Sequence, residues 1–194
     1  DMVSGILFSG GGFEAKYGDK MSSVLDIRYR KPRGFKGSAS GSLLGETFHL
    51  EGSSKDTRFT WILGARYKTS KYVLNSLDTK GDYKPRFYDV QSYLTYDITD
   101  EWEINFLSNV SSNKYRLVPQ TRESDFGTVN KALRLTVYFD GQEIDQYQTY
   151  TGALAFINHP RNKNLTLKYI TSIYRTLEDE TFDIEGAYLL DQLE

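Results

Sequence analysis

Apolar and polar residues alternate with a period of two along most of this chain, and that period leaves few folds open. In residues 60–68, Trp61, Leu63, Ala65 and Tyr67 share one face, with Arg66 and Lys68 on the other. In 102–110, Trp102, Ile104, Phe106 and Val110 alternate with Glu103, Asn105 and Asn109. Leu133, Leu135, Val137 and Phe139 alternate with Arg134, Thr136, Tyr138 and Asp140, and Phe182, Ile184, Tyr188 and Leu190 with Asp183 and Glu185. Each pattern describes a strand with one apolar and one polar side. Less regular strands are expected at 35–52, 87–98, 147–158 and 165–177.

The result is an all-β antiparallel meander of about eight long strands after Arg33. Several exceed the usual length of about five or six residues, and strands of roughly nine or more, when tilted, match a bilayer-spanning barrel wall. Pro32, Pro85, Pro119 and Pro160 all fall at expected strand boundaries, where the missing N–H does no harm. Short turns are expected at Lys55-Asp56, Thr99-Asp100-Glu101, Asp140-Gly141, Pro160-Arg161-Asn162 and Glu178-Asp179-Glu180, and longer polar links at 69–86 and 113–131. Barrels of bacterial outer membranes have short turns at one end and long loops at the other. This alternation holds for the first four strands and then fades.

Composition narrows the setting. With 194 residues the chain suits one domain, and its net charge of -2 gives no reason to expect nucleic acid. There are no cysteines, so disulfides and thiolate metal sites are excluded. No apolar run approaches the roughly 18 residues of a spanning helix, so any membrane embedding must use strands. Tyrosine is the commonest aromatic, 15 copies against 11 Phe and 2 Trp, a bias suited to surfaces wet on one side and apolar on the other. A soluble sugar-binding β-sandwich would share it. The first residues lack the charged and apolar regions of a signal peptide, as expected of a processed chain or a piece of a longer one. Arg28, Arg30, Lys31, Arg33 and Lys36 place five cations within nine residues, read as a solvated linker in preference to a phosphate-binding patch.

The segment before these cations is glycine-rich: Gly10-Gly11-Gly12-Phe13, Ala15, Tyr17-Gly18, Ser22-Ser23 and Val24-Leu25-Asp26-Ile27. Glycines here allow positive φ and close backbone approach. An ordinary hairpin loop of a soluble β protein would use them equally. In order and spacing the segment resembles the end of the plug in TonB-dependent outer-membrane receptors, especially the Bacteroidetes type. The resemblance covers about twenty residues, and Gly11, Gly12, Tyr17, Gly18, Ser22, Ser23 and Asp26 would form the plug-to-barrel junction. It implies that 1–33 are the last plug strand and 34–194 the first strands of a transmembrane β-barrel, together a fragment of a larger protein whose barrel has about 22 strands. It further implies an outer-membrane location, contact with membrane lipid, partnership with TonB through the rest of the plug, and import of a siderophore, vitamin, glycan or peptide. Alone, such a piece has open edges and is expected to close on itself, oligomerise or pair edges.

No residue pattern nominates an enzyme, and no cofactor or metal is expected. Gly10-Gly11-Gly12 lacks phosphate-loop spacing and leads into a strand. His49 and His159 are far apart in sequence. Carboxylates at Asp97, Asp100 and Glu101, at Asp140, Glu143 and Asp145, and at Glu178, Asp179 and Glu180 read mainly as turn chemistry. The alternative to a receptor piece is a soluble β-sandwich or barrel binding module, with carbohydrate as its ligand class.

Overall fold

A computed structural model describes residues 2–18, 22–75, 81–128, 131–161 and 164–193. It is nearly all β and antiparallel. Strands β1 (Val3–Gly10) and β2 (Ser23–Tyr29) form a separate hairpin. A nine-stranded sheet, curled into a half-barrel, contains β3 (Lys36–Ser42), β4 (Gly45–Ser53), β5 (Phe59–Lys68), β6 (Gly81–Tyr83), β7 (Arg86–Asp97), β8 (Trp102–Pro119), β9 (Arg122–Thr128), β10 (Lys131–Asn158) and β11 (Leu167–Leu193). A five-residue helix, α1 (Lys71–Asn75), lies between β5 and β6. The spatial order is β11-β10-β8-β7-β5-β4-β3, with β6 on β8 and β9 on β10. The expected meander is therefore present.

Strand lengths differ from the expectation in an instructive way. Residues 35–52 are two strands, β3 and β4, joined at Leu43-Leu44, where the Ser42 hydroxyl accepts the Leu44 N–H at 3.1 Å. Asp140-Gly141 is not a hairpin turn: β10 runs through it for 28 residues. Gly141 has φ 91° and faces Ile184, and the Asp140 carboxylate accepts its N–H at 2.8 Å. Between the pairs Leu117–Glu143 and Arg122–Val137, β10 has one residue more than the strand opposite. A left-handed glycine is the usual extra residue of such a bulge, and Pro119, closing β8, has no N–H to continue the ladder there. Glu178, Asp179 and Glu180 are likewise inside β11, opposite Tyr147, Gln146 and Asp145. An uninterrupted ladder on β10 outweighs the turn composition of these acids.

The long polar link expected at 113–131 is largely strand, shared between β8 and β9. Tight connections join β4 to β5 and β7 to β8 at one end, while the tall β9–β10–β11 ribbon rises at the other, the end that also carries the tight Leu43-Leu44 turn. The end-to-end asymmetry is thus carried by the β8–β11 part of the sheet. All four prolines lie outside strands or, for Pro119, at a strand end, as expected.

Register decides which side chains share a face. Ile62, Tyr93, Leu107 and Ala153 form one cross-strand row, and Leu63, Ser92, Ser108 and Gly152 form a neighbouring row on the opposite face. The first face is the inner one, against which the β1–β2 hairpin packs. Among the described residues, six polar residues are buried (Glu51, Thr60, Thr95, Asn105, Thr136, Asn158) but only three apolar ones (Val24, Ile62, Ile157). Soluble domains bury the reverse mixture.

Candidate functional site

The glycine-rich segment connects β1 to β2, so the plug-like part is a hairpin rather than the single strand expected. Ser23 opens β2 opposite Gly10, and Asp26 faces Leu7. Among the described glycines here, only Gly11 takes a left-handed φ, 95°. An added Cβ would meet nothing within 4 Å at Gly11, Gly12 or Gly18, so close approach is not what these residues provide in this structure. Tyr17 and Asp26 are brought together: the phenol donates to the carboxylate at 2.6 Å. That bond pushes the Tyr17 hydroxyl above its ordinary titration range, because ionisation would set a phenolate against a carboxylate. Lys16 lies 4.8 Å above the Tyr17 ring and 2.7 Å from Glu14. Ser22 is exposed just before β2 and joins no bond of this group.

Three contacts seat the hairpin on the inner face. Tyr29 stacks on Tyr93, ring centroids 4.7 Å apart, and the Gln91 amide donates to its hydroxyl at 2.8 Å. Arg30 Nη2 lies 2.5 Å from Glu51 Oε2, a carboxylate almost wholly withdrawn from solvent, with His49 Nε2 3.5 Å away on the same oxygen. Lys31 Nζ reaches Asp97 at 3.1 Å and Glu103 at 2.7 Å. The basic run is thus neither a free linker nor, at Arg30 and Lys31, a phosphate patch. Two of its five cations, Arg30 and Lys31, are fastened to carboxylates on the inner face of β4, β7 and β8. Between the hairpin and the β8–β10–β11 wall lies a cavity of about 1360 Å³, lined in part by Tyr17, Asp26, Tyr93, Asn105 and Lys168.

The outer face is apolar and uncovered. Leu63, Val90, Phe106 and Val110 are exposed there. Within this zone the hydroxyls of Ser92 and Ser108 bond to each other at 2.7 Å. Aromatic residues bound the zone at both ends. Tyr96, Trp102 and Tyr169 lie toward the tight turns, and Tyr67, Tyr88 and Tyr150 toward the tall ribbon, with Tyr67 and Tyr88 stacked 5.5 Å apart. The stretch from Trp102 to Val110 reaches about 27 Å along β8.

The chain matches no protein-family model, no curated protein and no solved structure. Of the residues that seat the hairpin, Arg30 and Lys31 were read only as part of a solvated basic run, and Tyr29, Glu51 and Tyr93 escaped the sequence reading. One signal was present: Glu51 interrupts an apolar stretch at a position where alternation turns it away from Leu50.

Proposed function

We propose that this chain is the plug-to-barrel segment of a TonB-dependent outer-membrane receptor, which imports a nutrient by TonB-energised transport. The carrying observation is the polarity of the sheet. Its outer face presents an apolar band between two aromatic girdles, while its inner face presents Glu51, Gln91, Asp97, Glu103 and Asn105 to a docked hairpin. Walls of membrane barrels have this arrangement, with lipid outside and a polar lumen. A β-sandwich would bury such a face under a second sheet, and among the described residues none lies over it. The hairpin with the Tyr17–Asp26 bond takes the role of the plug's last element. The β3 and β11 edges await the remaining strands of the wall, since unpaired backbone groups cannot face hydrocarbon. The rest of the plug would recruit TonB, and the outer membrane would be the location. The cargo class stays with the four named above.

Single cysteines in the full-length polypeptide test this reading. In intact outer membranes, Leu63→Cys and Leu154→Cys should resist a membrane-impermeant maleimide until detergent is added, whereas Asn109→Cys on the inner face should react. Full labelling of the two outer positions in intact membranes would sink the proposal.

A further inference from the structure

Just above the upper girdle, the outer face changes character. Arg86 follows Tyr88 on the outer side of β7 and stands directly opposite Lys114 on β8. Arg116 is the next outward residue of β8, and Lys84 donates its backbone N–H to the Arg116 carbonyl at 2.9 Å. Arg86, Lys114 and Arg116 therefore share one small area of two adjoining strands, with Lys84 in the link just before β7. Lys84 is held by Asp82 at 2.7 Å, but among the described residues no ion pair or side-chain hydrogen bond engages Arg86, Lys114 or Arg116. Besides Asp82, the nearby acids that alternation places on this face are Glu46 on β4 and Asp179 and Asp183 on β11, which lie two strands from β7 and from β8 respectively. Like charges directly opposite one another are unfavourable in a sheet. An anion placed between them reverses the sign.

We infer that Arg86, Lys114 and Arg116 bind the phosphate of a phosphorylated lipid headgroup in the outer leaflet. The inference rests on the reading of the apolar band as membrane wall. Level and charge both argue for it. Arg86 is two residues beyond Tyr88, about 7 Å along the strand, which carries it from the interfacial aromatic belt to headgroup depth. The tall ribbon marks this as the outer end, as long extracellular elements do in such barrels. Guanidinium groups bind phosphate oxygens bidentately, and a lysine adds a point charge. The acyl chains would lie on the apolar band beneath.

The test uses the full-length protein in non-ionic detergent, titrated with diphosphorylated lipid A and followed by native mass spectrometry. Wild-type protein should retain the lipid, and the triple variant Arg86→Ala, Lys114→Ala, Arg116→Ala should bind about tenfold more weakly. Lys55→Ala with Arg161→Ala, at the opposite end, should stay within about twofold of wild type. A second measurement needs no variant: wild-type protein should bind dephosphorylated lipid A about tenfold more weakly than the diphosphorylated form. Equal binding of the two lipids, or undiminished binding by a folded triple variant, overturns the inference. If that happens while the outer cysteines resist labelling, only the headgroup site falls. If those cysteines react freely, the membrane-wall reading falls with it.

Discussion

Arg30 is paired with Glu51, and this contact fastens the chain leaving the hairpin to the wall of the sheet. The two groups are unequally placed: Glu51 is 2% exposed and Arg30 34%. The carboxylate depends on its partner for charge compensation, while the guanidinium can turn toward water. Lys31 repeats the arrangement one residue later with Asp97 and Glu103. Together with the Tyr29–Tyr93 stack, these bonds set where the hairpin stops and the wall begins.

The asymmetry predicts unequal mutants. Arg30→Met leaves a buried carboxylate uncompensated and should cost about 3 kcal/mol of stability. Glu51→Leu frees an arginine that solvent can reach and should cost about 1 kcal/mol. Chemical unfolding of the full-length variants measures both, and equal losses would show that burial does not separate the partners.

A pH effect follows from Tyr17. Its folded titration value is raised by the bond to Asp26. The bond's contribution is thus fully present below the unfolded tyrosine value of about 10 and is lost as pH rises through the folded one. Ring-carbon NMR of labelled tyrosines should reveal one resonance, absent in Tyr17→Phe, that titrates above the free amino acid. Titration at or below that value would contradict the bond.

Gly141 tolerates no side chain. At φ 91° an added Cβ would come within 1.7 Å of the Asp183 carbonyl oxygen. Gly141→Ala should cost more than about 2 kcal/mol, combining left-handed strain with a backbone clash. Gly12→Ala, whose Cβ meets nothing within 4 Å, should change stability little. Thermal unfolding of the two variants side by side checks the contrast.

Charge placed on the two faces should have opposite consequences. Phe106 lies in the middle of the apolar band, so Phe106→Lys should cost about 2–4 kcal/mol in refolding into lipid vesicles. Asn109→Lys, directed to the inner side, should cost less than about 1 kcal/mol. Similar costs at both positions would argue against a lipid-facing exterior.

Alternation at 60–68 and 102–110 was enough to identify strands and to sort Leu63 from Arg66 and Phe106 from Asn105, because side-chain direction in a strand is a local property. Proline positions were legible for the same reason. The Tyr17–Asp26 bond was only half legible, since both residues belong to the junction motif but nothing local aims one at the other.

What the amino-acid order determined by itself, then, was the all-β class, the two-faced character of the regularly alternating strands and the bounded glycine-rich segment. Tertiary structure decided the rest. Asp140-Gly141 and Glu178-Asp179-Glu180 have the composition of turns, yet β10 and β11 pair straight through them, because ladder hydrogen bonds depend on the neighbouring strand. The five-cation run resembled a solvated linker because the carboxylates that hold Lys31 lie 66 and 72 residues further along. Which face is inside could not be read from period two, which is the same for a soluble core and a membrane wall. The docking of the hairpin decided which face is inside: it covers the polar face and leaves the aromatic-bounded apolar face outward.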